Sequence, residues 1–199
     1  VGGGLGIMGY LGDYNNMLTR DLQPMMTVFV RRNLNAYMAL RLDASIGTLK
    51  GNERDVRTIY PSSSASPYHF SNKLTDVSLM YEYNFWPYGT GKDYYGAKRL
   101  TPFLFVGVGG IYASGDGTNV FTANIPIGVG LKYKIGTRVN AGIAWAMHFA
   151  MSDKLDGRKD PYGITSSGIF KNKDCYSALQ LTLSYSFMPK CTTCNKDIK

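Results

Sequence analysis

Cys175-Tyr176-Ser177-Ala178-Leu179-Gln180-Leu181-Thr182-Leu183-Ser184-Tyr185-Ser186-Phe187 decides the fold. One face of this stretch reads Ser177, Leu179, Leu181, Leu183, Tyr185, Phe187. The other reads Tyr176, Ala178, Gln180, Thr182, Ser184, Ser186. Side chains on a strand alternate between faces, so this is a strand with one apolar and one small or polar face. Its length, about a dozen residues, exceeds the five or six usual in soluble proteins. A strand that crosses a membrane at a tilt needs about 9–11.

The same alternation recurs upstream. In Arg138 to Met151, Val139, Ala141, Ile143, Trp145, Met147 and Phe149 oppose Asn140, Gly142, Ala144, Ala146, His148 and Ala150. Thr122 to Lys134, Leu74 to Phe85 and Ala36 to Gly47 behave likewise. Gly2 to Gly12, Pro24 to Arg32 and Leu100 to Tyr112 are less regular, which brings the expected strands to eight. Arg32 to Asn35 and Ile135 to Thr137 read as tight turns. Residues 13–23, 48–72, 113–121 and 152–174 read as long polar loops. Short turns on one side and long loops on the other are the pattern of outer-membrane barrels. The connection 86–99 breaks it, being long on the short-turn side.

Alternation alone also fits a soluble sheet, so sidedness decides. The non-apolar face is dominated by Gly, Ala, Ser and Thr, where a water-facing sheet would carry many Lys and Glu. Small residues suit the cramped interior of an eight-stranded barrel, which side chains just fill. The charges on that face have both signs: Arg31, Arg41, Asp43, Asp76, Glu82 and Lys132. Buried charges must pair, so these six are expected to form a mixed cluster inside. The apolar face has no charge in its middle, and Tyr83, Phe85, Trp86, Tyr133, Tyr185 and Phe187 sit near strand ends, as an interfacial girdle does. The expected fold is therefore an all-β, eight-stranded antiparallel transmembrane outer-membrane β-barrel of OmpX/OmpA type. It should occupy residues 1–188, with 189–199 a periplasmic tail and both termini in the periplasm.

Composition agrees. The chain has 199 residues, 22 Lys+Arg against 14 Asp+Glu, 13% aromatics and 23 glycines. That aromatic content excludes disorder, and the glycines lack a collagen period. The longest mostly apolar stretch, about 101–114, is too short for a spanning helix. No signal-peptide pattern opens the sequence at Val1-Gly2-Gly3-Gly4, as in a cytosolic chain or a mature product whose signal has been removed.

Chemistry-bearing motifs are sparse. His148 should face the interior, but no Ser, His and acid converge recognisably, so a structural histidine is favoured over a lipid A-modifying base. Gly107-x-Gly109-Gly110 lies mid-strand with no following helix, which removes a nucleotide reading. The net charge of +8 forms no basic stripe interleaved with aromatics, so no nucleic-acid partner is expected. Basic loop residues such as Lys50 and Lys73 suit lipopolysaccharide phosphates. No cofactor or metal is expected. Cys191-Thr192-Thr193-Cys194 lacks the βαβ setting of a redox motif and the second pair of a zinc ribbon. Cys175 starts the last strand, out of reach of the tail. In an oxidising compartment Cys191 and Cys194 bridge each other or another protein. The connection 86–99, with Trp86, Tyr88, Lys92, Tyr94, Tyr95, Lys98 and Arg99, should face the periplasm beside Lys190 and the tail cysteines, as a surface for a periplasmic partner.

Gln180-x-Thr182-x-x-Tyr185-x-Phe187 resembles the C-terminal β-signal of barrel proteins, with Thr182 in place of the usual glycine. Gly9-Tyr10-Leu11-Gly12-Asp13, the Arg31–Arg41 hairpin, Tyr81-Glu82-Tyr83-Asn84-Phe85 and Thr101-Pro102-Phe103-x-Phe105-x-Gly107-x-Gly109 together resemble the PorG family. These are outer-membrane barrels of the type IX secretion system of Bacteroidota. The resemblance implies a non-enzymatic role, tying a periplasmic ring of PorK and PorN to the outer membrane. With that role, one tail cysteine is expected to bridge to a ring subunit. The alternatives are an OmpX/OmpA-like surface barrel that binds envelope or host ligands, and a lipid A-modifying enzyme.

Overall fold

A computed structural model describes residues 1–11, 22–52, 69–88, 98–115, 118–136, 138–151 and 175–187. They form eight strands: β1 (Gly2–Leu11), β2 (Gln23–Asn33), β3 (Met38–Asn52), β4 (His69–Asn84), β5 (Leu100–Gly115), β6 (Thr118–Lys134), β7 (Val139–Ala150) and β8 (Cys175–Tyr185). Each pairs antiparallel with its sequence neighbour, and β1 closes on β8, so the sheet is a closed barrel. Closure leaves no open edge, which is what a sheet in lipid requires. The end carrying the start of β1 and the end of β8 is called the lower end below.

Inside and outside are reversed relative to a soluble protein. Leu179, Leu181 and Leu183 of β8 are exposed, while Tyr176, Ala178, Gln180 and Thr182 are buried. The same holds around the wall: Met26, Val28, Leu42, Ile46, Val77, Leu79, Val106, Val108, Ile127, Val129 and Trp145 all point outward. Every Asp and Glu among the described residues points inward: Asp43, Asp76 and Glu82. On β4 the outward band runs from Phe85 up to Thr75, ten residue steps. At ~3.4 Å per residue and a tilt of ~45° this is about 24 Å of height, matching the apolar band of outer-membrane barrels.

The expected aromatic girdle lies at the lower rim. Tyr83, Phe85, Trp86, Tyr133, Tyr185 and Phe187 are all exposed. Tyr83 and Phe85 meet edge-on, as do Tyr185 and Phe187.

Two expected loops are shorter than their composition suggested. Residues 113–121 are mostly strand: β5 and β6 pair as far as Gly115 opposite Thr118. The loop expected over 48–72 likewise yields its ends to β3 and β4, which pair up to Asn52 opposite His69. Strands β3 to β6 therefore run 15 to 17 residues, against 10 to 12 for the other four. Among the described residues the extra length of β3 to β6 lies at the upper end. The loops expected over 13–23 and 152–174 fall almost wholly outside the described residues.

The interior is filled. On β6 glycine makes room for rings: a Cβ on Gly130 would sit 2.7 Å from the Phe103 ring, and one on Gly128 would collide with Phe105. Phe103 and Phe105 thus lie flat over the bare backbone of β6, beside Met80, Ala144 and Ala146. A second apolar cluster of Met8, Met25, Leu49, Leu74, Ile111, Ala113 and Ala150 caps the upper interior.

Candidate functional site

The interior charges form two groups. The lower group centres on Glu82 of β4, which is fully buried. Arg31 Nε lies 2.9 Å from its Oε2, and Arg31 Nη2 donates to Oε1 at 3.2 Å. Lys132 Nζ donates to Oε2 at 2.6 Å and to Asn84 Oδ1 at 2.9 Å. Arg41 approaches Oε1 at 3.8 Å, donates to Gln180 at 3.2 Å and pairs with Asp43. Asp43 also accepts from Thr27 at 2.8 Å. Three cations thus face two carboxylates. The surplus positive charge meets ring faces: Arg41 lies 4.1 Å from the Phe29 centroid and Lys132 4.1 Å from that of Phe103. A cation over a ring face in a dry site is worth up to ~2 kcal/mol.

Asp76 does not join this group. It lies six residues above Glu82 on the same face of β4, about 20 Å along the strand. There it accepts hydrogen bonds from Tyr176 (2.7 Å), Ser78 and Asn124. His148 Nδ1 lies 3.3 Å from the Asp76 carboxylate and 2.9 Å from the Tyr176 hydroxyl, with the two rings stacked 4.3 Å apart.

A serine, a histidine and an acid do therefore converge, contrary to the sequence expectation. Their connectivity is wrong for nucleophilic catalysis, where the hydroxyl must donate to the base and the base to the acid. Ser78 donates to Asp76 instead. All three residues are buried beneath the apolar cap. The group reads as interior polar packing.

The described part of the 86–99 connection folds against the lower mouth. Tyr88 N donates to Ala36 O at 3.0 Å and Lys98 N to Pro87 O at 2.9 Å. Thr101 Oγ1 bonds both the amide and the carbonyl of Trp86 at 3.1 Å. Lys98 sits 4.7 Å over the Trp86 ring. Tyr88 reaches across the opening, and its hydroxyl donates to Asn140 of β7 at 2.9 Å. At 4% exposure its side chain is a stopper in the mouth and not a surface contact for a partner, which corrects that expectation. Trp86, Lys98 and Arg99 are exposed. Lys92, Tyr94, Tyr95, Lys190, Cys191 and Cys194 lie outside the described residues.

Burial pushes the Tyr88 phenol up to about 12 from 10. The folded chain keeps a proton that the unfolded chain releases above pH 10, so Tyr88 weakens the fold as pH rises from 10 to 12 and no further above that. Tyr88→Phe should lack this decline, and at neutral pH should cost about 0.5–1.5 kcal/mol for the lost hydrogen bond. Urea midpoints of both proteins at pH 8, 10 and 12 check both statements.

Residues 1–196 match the family described as Domain of unknown function (DUF6089). The chain belongs to the DUF6089 family. No curated protein matches the sequence. Among solved structures the chain is similar to Neisserial surface protein A (NspA), with TM-score 0.51 and 12% identity, covering 93% of this chain and 95% of that one. It is also similar to Ail, the attachment invasion locus protein of Yersinia pestis (TM-score 0.46, 11% identity, 92% and 94%). The N-terminal β-barrel domain of Pseudomonas aeruginosa OprF is a third (0.41, 14%, 92% and 96%). The likeness to NspA at this identity shows the fold: this DUF6089 chain is an eight-stranded barrel of outer-membrane type.

Proposed function

We propose that this barrel is a non-enzymatic outer-membrane anchor for a periplasmic assembly. It holds a PorK/PorN-like ring of a type IX secretion system through the 86–99 connection and the tail 189–199, with the lower end in the periplasm. The observation that carries this reading is the lower mouth. The described part of the connection that breaks the short-turn pattern is latched there by Tyr88, with Trp86, Lys98 and Arg99 exposed beside it. Beside them the exposed Arg32 and Arg138 complete a cationic rim. The filled interior supports an anchoring part over a conduit. In this reading one of Cys191 and Cys194 bridges to a ring subunit.

Gentle extraction of the native membrane without reductant, followed by non-reducing electrophoresis and mass spectrometry, tests it. The expected result is a periplasmic lipoprotein that co-migrates with the barrel and separates on reduction. A monomer near 22 kDa with no partner would overturn the anchoring role. It would favour a surface barrel whose long β3–β6 strands bind envelope or host ligands at their upper ends, the second reading that the strand lengths support.

A further inference from the structure

The exterior charges of the described residues are all cations, and they are segregated by height. Arg32, Lys98, Arg99 and Arg138 lie at the lower rim, and Lys50 and Lys73 at the upper one. The apolar band between them has none.

The pairing register arranges the surroundings of the upper two. Lys73 lies opposite Thr48 on β3 and Ser114 on β5, and Ser114 opposite Asn119 on β6. Thr48, Lys73, Ser114 and Asn119 therefore form one outward polar row across four strands, with Ser114 Oγ donating to Asn119 Oδ1 at 2.9 Å. One step above, Lys50 lies opposite Ser71, diagonal to Lys73 on the same face. Diagonal neighbours on a sheet are ~7–8 Å apart, within which two lysine side chains can grip one anionic group. One step below run Ile46, Thr75, Tyr112 and Phe121 in the same columns. Phe121 is 77% exposed, and its ring lies against Gly110 of β5. Below that the columns are apolar. Two ammonium groups, three hydroxyls and an amide thus stand on an aromatic shelf at the top of the band, where acyl chains end and headgroups begin.

We propose that this ledge binds the phosphate group of a phosphorylated, multiply acylated glycolipid of lipid A type. Lys50 and Lys73 hold the phosphate, and the acyl chains run down over Ile46, Tyr112 and Phe121. The width favours this occupant over a two-chain glycerophospholipid: four strands at ~4.8 Å spacing give a ledge about 14 Å across. The assignment to the outer leaflet rests on the orientation given under Proposed function. The binding itself does not.

The test uses the purified full-length barrel refolded in dodecylmaltoside micelles. Native mass spectrometry follows its retention of bisphosphorylated lipid A, the same lipid A with its phosphates removed, and phosphatidylglycerol. Bisphosphorylated lipid A should be retained at least tenfold more tightly than either other lipid, and Lys50→Glu/Lys73→Glu should abolish that preference. Lys50→Gln/Lys73→Gln should weaken it without repulsion. Both lysines point away from the core, and unchanged heat-modifiable migration on a gel confirms folding. Equal retention of the dephosphorylated lipid or of phosphatidylglycerol would overturn the proposal. So would an undiminished preference in the charge-reversed variant. The ring-anchoring reading can fail by its own extraction experiment while this binding stands, and the reverse.

Discussion

Glu82→Gln lowers the unfolding free energy of the refolded barrel by about 3–5 kcal/mol, the cost of removing one partner from a buried ion pair. The effect is large because Glu82 is the shared counter-charge of Arg31, Lys132 and, at longer range, Arg41. Glutamine keeps the shape and loses the charge. Asp43 then remains as the sole carboxylate for three buried cations, and it already pairs with Arg41. Arg31→Gln should cost less, since the Arg31 side chain keeps 12% exposure and can hydrate. Pairing Glu82→Gln with Lys132→Met should recover part of the loss, because the second change removes one stranded ammonium. Urea midpoints of the four proteins in detergent measure all of this. A Glu82→Gln midpoint indistinguishable from wild type would mean that water fills the interior and screens the cations.

Val108→Arg separates the membrane reading from a soluble one by size of effect. Val108 is 65% exposed, and in water an exposed valine tolerates arginine to within about ±0.5 kcal/mol. Here Val108 lies opposite Leu79, at mid-height of the apolar band. An arginine against lipid at the midplane costs about 2–4 kcal/mol. Refolding into vesicles should show that loss, while Lys73→Arg at the polar row should show none. A neutral Val108→Arg in vesicles would mean that the band does not face lipid.

How far the sequence revealed this depended on where hydrophobic contrast exists. Residues Leu179, Leu181 and Leu183 alternate with small polar ones because lipid lies on one side and a crowded interior on the other. Above the band that contrast disappears. Lys50, Ser71 and Lys73 face solvent in the extended part of β3 and β4, with Leu49 and Asn72 inside, so the pattern no longer distinguishes strand from loop. The β5–β6 hairpin did carry a readable sign, the Asp116-Gly117 pair between Gly115 and Thr118, since Asp-Gly favours a two-residue hairpin. The interior placement of all six expected charges follows from period two. Their division into two groups departs from the single cluster expected, because Asp76 and Glu82 lie six residues apart along β4. The partners do not follow from period two, because strand register is set by packing between strands distant in sequence. The union of Ser78, Asp76 and His148 depends on β4 and β7 meeting across the interior, and one sequence does not state that. The latch between Tyr88 and Asn140 is hidden for the same reason.

The seam between β1 and β8 has a consequence for how the molecule is made. Ten residue pairs, from Gly2 with Ser184 to Leu11 with Cys175, join the two ends of the chain. Every other strand pair can form as a local hairpin, but this one must gather a loop of nearly the whole polypeptide. Loop-closure entropy grows as (3/2)RT ln n, so the seam costs roughly 2–3 kcal/mol more to bring together than a hairpin of about a dozen residues. It should be the last pairing to form, as high contact order slows folding. Until it forms, β1 and β8 remain two open edges with unpaired amides, the state in which one chain's strand can add to another's. The interval before closure is therefore when the nascent barrel is most exposed to mispairing and depends most on whatever holds its two edges apart.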